Sequence, residues 1–337
     1  YLVMDGPLQP GLHRWTMGTG LKDRAGNALG TAFVRNFAME GVSGWLLESR
    51  DNGTSAKGTA LGLTGTGMAD GSLAYQGSLA SGNNTHYISR GDLNGDGRMD
   101  LVVANYGSGT VSVWLGNGDG GFGVRSDYTA GNGPIAVDVG DVDGDGKLDV
   151  VVANHNAHTV GILLGAGDGT LGTMSAVAVG NNPREVKVAD LDGDGTRELV
   201  VANAGQNYVT VLRRGEGGSY TRSDTVSGQA MWGVAVGDVT GDGKLDVVSA
   251  NHNPGTVSVL AGAGDGSLGT AVEYAVGNQP RSVALGDLDG DGRLDVVVLN
   301  AGSRSLSVLR GQAGGGLGAA ETLTGLGSDP YRVVLGD

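Results

Sequence analysis

The pattern D-x-[DNT]-G-D-G-x-x-[DE] occurs five times in this chain, starting at Asp92, Asp141, Asp190, Asp238 and Asp287, at steps of 49, 49, 48 and 49 residues. A period of this length means one supersecondary unit repeated, and it confines the chain to repeat architectures. The unit spanning 131–179 shows what is repeated. Residues 135–140 alternate in polarity and end in glycine, as a strand does. The acidic stretch 141–149 is a loop. Residues 148–153 (L-D-V-V-V-A) form a near-continuous apolar run, the mark of a strand buried on both faces. A short loop at 155–158 leads to a third strand at 159–164, a Gly/Asp hairpin turn at 165–169, and a fourth strand at 175–179.

Four antiparallel strands at this period make a β-propeller blade. Parallel solenoid coils have shorter periods, and a stack of calcium-binding nonapeptide coils would repeat near every nine residues. The high glycine count of 66 suits many tight turns, and no G-x-y triplet runs through the chain. The register extends backwards. Asp70-Gly71-Ser72-Leu73 lies 49 residues before Asp119-Gly120-Gly121-Phe122, so 64–82 reads as the third arm and fourth strand of a blade. Ser43 stands where that blade's acidic loop would begin, and the loop is absent. The 274 residues from 64 to 337 make 5.6 periods, whereas a seven-bladed ring needs roughly 340. The expected architecture is therefore an all-β propeller, seven-bladed when complete and incomplete here, with its closing strands beyond Asp337. Gly336-Asp337 stand where Gly286-Asp287 open the preceding loop, so the sequence reads as a piece of a longer protein.

Each acidic loop is a candidate calcium cage. Calcium takes six to eight hard oxygen ligands in a flexible shell, whereas magnesium demands tight octahedral geometry. In the second loop Asp141, Asp143 and Asp145 alternate so that a turning backbone can converge their carboxylates, Gly144 and Gly146 permit the turn, the Lys147 carbonyl can add an oxygen, and Asp149 closes the shell. The equivalent sets are Asp92, Asn94, Asp96, Arg98 and Asp100; Asp190, Asp192, Asp194, Thr196 and Glu198; Asp238, Thr240, Asp242, Lys244 and Asp246; and Asp287, Asp289, Asp291, Arg293 and Asp295. The first half of each loop matches the EF-hand pattern, but the closing acid comes at position 9 and a strand follows. Asn94 and Thr240 each remove one formal charge, so loops two and five are expected to bind most tightly. About five structural Ca²⁺ ions are expected.

The net charge of −14 argues against nucleic acid and anionic membrane surfaces as partners, since both need a basic footprint. Eighteen of the 36 acidic side chains lie in the five loops, and five bound Ca²⁺ would bring the net charge to −4. Self-repulsion in the metal-free chain would thus be relieved by calcium. There is no cysteine, hence no disulfide framework or thiolate chemistry, and no apolar run is long enough to span a bilayer.

The unit G-D-V-D-G-D-G-K-L-D-V-V-V-A-N, followed by T-V-G-I-L-L-G-A-G-D-G-T-L-G, resembles the FG-GAP/VCBS repeat of integrin-α-like, calcium-binding propellers, over about 64–337. The resemblance implies structural calcium in a loop between the first two strands of a blade, on the face opposite the ligand-binding loops. It also implies a secreted or cell-surface protein. Residues 11–17 and 21–29 are similar to the closing strands of bacterial Ig-like domains, in which D-x-A-G-N-x-L precedes the last strand, here 34–39. This makes 1–39 the expected tail of such a domain and 40–63 a linker.

Six residues before each loop aspartate stand His86, Ile135, Arg184, Trp232 and Arg281, with Tyr331 at the same offset from Asp337. They open the first strand of each blade and should ring the mouth of the central channel. Tyr106, His155 and His252, in the loops between second and third strands, should emerge on the same face. Aromatic and arginine side chains there are either blade-to-blade packing or interface anchors. No G-x-S-x-G or H-E-x-x-H occurs, and the Gly-rich turns lack the Lys-Ser/Thr ending of a phosphate loop. The expected function is a non-enzymatic adhesion or scaffold region of a large extracellular bacterial protein, meeting a protein or glycan. Two rivals are a lectin-like propeller and an accessory domain of an extracellular hydrolase or lyase.

Overall fold

The computed structural model describes residues 78–335, together with three strands upstream: β1 (Arg14–Met17), β2 (Phe33–Asn36) and β3 (Trp45–Ser49). The repeats form five four-stranded antiparallel sheets in chain order. The first comprises β4 (Thr85–Gly91), β5 (Asp100–Asn105), β6 (Thr110–Trp114) and β7 (Ser126–Thr129). The second comprises β8 (Pro134–Gly140), β9 (Asp149–Asn154), β10 (Thr159–Leu163) and β11 (Ser175–Ala178). The third comprises β12 (Pro183–Ala189), β13 (Glu198–Asn203), β14 (Tyr208–Arg214) and β15 (Tyr220–Val226). The fourth comprises β16 (Met231–Gly237), β17 (Asp246–Asn251), β18 (Thr256–Leu260) and β19 (Val272–Ala275). The fifth comprises β20 (Pro280–Gly286), β21 (Asp295–Asn300), β22 (Ser305–Leu309) and β23 (Glu321–Thr324), and β24 (Pro330–Leu335) opens a further sheet.

The core lies between sheets, not within one layer. In β9, Val150 and Val152 pack with Val102, Ala104 and Val111 of the first sheet. Val151 and Ala153 point the other way, onto Val186, Leu199 and Val201 of the third. This is why the second strand of each unit reads as an unbroken apolar run: both of its faces are covered. Each fully buried valine or leucine contributes about 1.5–3 kcal/mol. The fourth strands carry mostly exposed residues and form the outer rim.

Two features recur at the far end of every second strand. The asparagine that ends it (Asn105, Asn154, Asn203, Asn251, Asn300) is fully buried. In the fourth sheet Asn251 Nδ2 donates to Thr256 Oγ1 at 3.0 Å and to Ser258 Oγ at 2.7 Å, and Asn105 and Asn300 repeat the arrangement. These bonds tie the second strand to the third. The first strands share a second device. Their pairing with the second strand slips once, between residues flanking His86, Ile135, Arg184, Trp232, Arg281 and Tyr331. Each is the extra residue of a β-bulge, a device that re-aims a side chain.

β24 pairs antiparallel with β3, Pro330 opposite Ser49 and Leu335 opposite Trp45. This departs from the reading of 40–63 as a linker and from the expectation that the partner of the last strand lies beyond Asp337. The 49-residue register passed over Trp45-Leu46-Leu47 because no acidic loop precedes it. Among the described residues six first strands surround the axis, not the seven expected of a complete ring. β1 and β2 pair as a two-stranded ladder, Arg14 opposite Asn36. Two strands do not make a sandwich, and the remainder of the Ig-like segment at 1–39 lies outside the described residues, as do 50–77, which hold most of the expected half-blade, and Gly336-Asp337.

Candidate metal loops and the channel mouth

The five acidic loops join first to second strands at one end of the sheets. Each is folded around its own first aspartate. Asp141 accepts hydrogen bonds from the N–H groups of Gly144 (2.7 Å) and Gly146 (2.9 Å), and Asp143 and Asp145 accept from residues two positions on. Asp190, Asp238 and Asp287 do the same with their own glycines. Gly144 and Gly146 have φ of 78° and 82°, and a Cβ added at either would meet nothing within 4 Å. Glycine is needed there for its left-handed backbone, not for space.

This turn brings the alternate aspartates together in loops three and five, whereas in loop two Asp145 pairs with Lys147 and Asp149 completes the triad in its place. Ligand oxygens of Asp141, Asp143 and Asp149 lie within 4.8 Å of one another, as do those of Asp190, Asp192 and Asp194, and of Asp287, Asp289 and Asp291. These three triads can hold a metal ion. Loops one and four, with Asn94 and Thr240 at the third position, form no such triad among the described residues. Burial and the neighbouring carboxylates of Asp143 and Asp141 push the Asp149 carboxyl up to about 6, against backbone hydrogen bonds from Gly165 and Val142. A cation would reverse that repulsion. In the third loop Glu198 Oε1 is buried with no hydrogen-bond partner, so that site carries an oxygen a metal could complete.

The acid at position 9 has a second role that the spacing did not reveal. Asp149 is almost fully buried, and its two oxygens accept from Val142 N (2.9 Å) and Gly165 N (2.8 Å). Asp100, Asp246 and Asp295 make the same two bonds, to the loop's second residue and to a glycine sixteen residues on. The acid thus latches the loop to the hairpin after the third strand. That glycine is forced by space: a Cβ at Gly116, Gly165, Gly262 or Gly311 would sit 2.0–2.6 Å from a backbone carbonyl oxygen. The third repeat has Arg214 there instead, its β14–β15 ladder runs on to Arg214 opposite Tyr220, and its closing acid is the longer Glu198.

The residue before that position also distinguishes the loops. It is Leu115, Leu164 and Ala261 in repeats one, two and four, but Arg213 and Arg310 in three and five. Arg310 Nη1 lies 2.8 Å from Asp295 and 3.8 Å from Asp289. Arg213 Nη2 lies 3.5 Å from Asp192, and its Nε 3.8 Å from Glu198. The ranking of loop five beside loop two rested on the loop's own charges. The structure brings an arginine into loop five and none at the equivalent point of loop two.

At the opposite end the bulged residues converge. Ile135, Arg184, Trp232, Arg281 and Tyr331 line one small cavity of about 30 Å³ with Tyr87, Glu185, Ser282 and Arg332. The His86 ring lies 6.4 Å from that of Tyr331 and 5.1 Å from that of Tyr106. Trp232 is covered by the Arg184 guanidinium, 3.7 Å from its ring centre, and by His252, stacked at 4.3 Å and 13°. Arg281 lies 5.1 Å from the same ring and pairs with Asp329 at 2.6 Å. Below this layer the throat is filled. Glu185 Oε2 accepts from Val234 N at 3.0 Å, its Oε1 faces Lys187, Arg332 and the Tyr87 hydroxyl, and Arg332 stacks on Tyr87 at 3.5 Å.

All eight residues expected on the ligand face are thus at this end. His155 is a tie between repeats, its Nδ1 3.3 Å from the Pro183 carbonyl and its Nε2 3.1 Å from Asn182 Nδ2. Burial first, then Arg184, lowers its pKa, and burial likewise lowers that of His252. Glu185, Lys187 and Arg332 were missed, because no repeat pattern marks a residue whose partners stand across the channel.

Similarity to known proteins matches this geometry. A family model described as FG-GAP-like repeat matches 92–152, 141–201, 190–249 and 238–298, and the FG-GAP repeat model matches 280–318. No curated protein sequence matches the chain. Among solved structures it is similar to an Agrocybe aegerita lectin that recognises non-reducing terminal N-acetylglucosamine, at 21% identity over 84% of this chain and 81% of the lectin, with a TM-score of 0.53. It is also similar to a catalytically inactive virginiamycin B lyase from Staphylococcus aureus (12% identity, 83% and 88% covered, TM-score 0.54) and to a Desulfotomaculum acetoxidans protein of unknown function (14%, 72% and 71%, 0.55). A lectin and a lyase share the likeness, so these neighbours speak to the fold alone. The acidic loops, their period and the matched residues agree that the chain belongs to the FG-GAP repeat family.

Proposed function

We propose that this chain is a non-enzymatic, calcium-stiffened propeller of a secreted or surface bacterial protein, acting in adhesion or as a scaffold, and that partners meet it at the channel mouth. The observation that carries this reading is the separation of two kinds of position. Carboxylate triads recur in the loops at one end, while the bulged positions at the other end hold six residues of five types. Calcium suits the loops because every side-chain ligand there is a hard oxygen and the glycine turns leave the shell adjustable. The residues expected to bind it are the five loop sets given above, with the three triads occupied first. Each bound ion would offset the carboxylate repulsion within its loop.

The non-enzymatic reading is supported by the partners of the mouth histidines. His155 is held by a main-chain carbonyl and an amide, and His252 by a tryptophan face and Asn253. Neither pairs with a nucleophile or a carboxylate in the manner of a general base. The direct test is adhesion of the calcium-loaded protein to cells or immobilised matrix, compared in calcium and in EGTA. Binding that needs calcium but survives loss of any one loop triad supports a scaffold. Turnover of a bound partner, or equal adhesion in EGTA, contradicts it.

A further inference from the structure

We infer that the channel mouth binds the carboxylate of an acidic saccharide, held by Arg184 and Arg281 beside Trp232. This rests on the reading that partners meet the mouth face, and it names their chemistry. Three observations converge on it. The first is unused donors. Arg184 Nε and Arg281 Nε are both buried without a hydrogen-bond partner, and both residues pack on Trp232. Two orphaned N–H donors beside one ring are a cost that a bound acceptor would relieve.

The second is charge. Among the described residues no carboxylate lies within ion-pair distance of Arg184; its guanidinium faces the Tyr331 hydroxyl and is repelled by Arg281. The other cations near the axis each have a carboxylate within ion-pair distance: Arg281 has Asp329, and Lys187 and Arg332 share Glu185. Among the described residues Arg184 is thus the axial cation with no carboxylate within ion-pair distance, and it sits at the mouth, on a chain whose net charge is −14. Asp329, held on Arg281 Nη1 at 2.6 Å, shows that a carboxylate fits this guanidinium from the solvent side. Planar guanidinium forks suit carboxylates better than any other common anion-binding side chain.

The third is shape. The cavity of about 30 Å³ admits one small polar group, not a chain segment. The connecting loops at the same end carry exposed amides, Asn83, Asn132, Asn156 and Asn181 among them, and Asn156 Oδ1 accepts from the hydroxyl of Tyr106, whose ring lies against His86. Amides offer a donor and an acceptor each, the complement of sugar hydroxyls. The Trp232 ring, already covered by Arg184 and His252, is not a platform for a neutral sugar ring. Recognition must then come from the acid.

The test is calorimetric titration of the calcium-loaded protein with glucuronate, with glucose, with glucuronamide and with an aspartate-rich peptide. The expected result is saturable glucuronate binding that weakens with added salt, no binding of glucose or glucuronamide, and a loss of at least about tenfold in Arg184→Gln. Arg184→Lys, which keeps the charge but not the fork, should fall between. Glucuronate failing to bind, or binding unchanged in Arg184→Gln, overturns the site. Peptide binding in place of glucuronate, with the same Arg184 dependence, overturns the saccharide. Calcium-dependent melting measured on each variant shows that the fold is intact. Loss of that dependence in the unsubstituted protein would instead sink the calcium reading and leave the glucuronate result standing by itself.

Discussion

The two ends of the sheets obey the same backbone rule and opposite side-chain rules. At the loop end each repeat makes the same glycine turn around an aspartate, and the side chains repeat with it. At the mouth each repeat makes the same bulge, yet the bulged residue is histidine, isoleucine, arginine, tryptophan, arginine and tyrosine in turn. Repetition of the fold demands the bulge but not what it points. At the loops the turn itself is made of side-chain hydrogen bonds, so residue and conformation cannot be separated. On the function proposed above, stability belongs at one end and recognition at the other.

That division can be broken in order of expected effect. Removing calcium should act on every triad at once. A site held at a hundred times its dissociation constant contributes about 2.7 kcal/mol, so calorimetric melting in EGTA should fall by many degrees, and mouth substitutions should leave the fall unchanged. Asp149→Ala should cost about 2–5 kcal/mol in urea unfolding even in EGTA, because Val142 N and Gly165 N lose their acceptor. A cost seen only with calcium present would make the acid a ligand and nothing more. Gly165→Ala should cost about 1–3 kcal/mol, since its Cβ would lie 2.1 Å from the Leu148 carbonyl oxygen. The smallest effect is expected for Arg310→Gln. Freed of the guanidinium on Asp295, loop five should bind calcium a few-fold more tightly, while the same measurement on loop two, with Leu164 at that point, should not respond to Leu164→Gln.

Much of this is legible in the sequence. The strand expected at 135–140 is β8 (Pro134–Gly140), and the apolar run at 148–153 is β9 (Asp149–Asn154), because burial on both faces leaves a signature in composition. The triads of loops three and five follow from alternate aspartates and turn glycines, while that of loop two takes Asp149 in place of Asp145. What escapes are contacts between distant residues. The Asp149 latch depends on Gly165, which by itself reads as part of a hairpin turn. The entry of Arg213 and Arg310 into their loops depends on how far the third strand runs beside the second. The pairing of β3 with β24 joins residues almost 300 apart, and no period spans that distance. The bulge is invisible because it is a slip of register, with no residue type of its own.

The central claim, that the loop end is a metal end, is tested most directly by calcium bound per chain after equilibrium dialysis. The account predicts at least the three ions of the Asp141, Asp190 and Asp287 triads, lost one at a time on changing each of those aspartates to alanine, and full retention in Arg184→Gln. A chain that retains no calcium, or whose calcium is unaffected by all three loop substitutions, would contradict it.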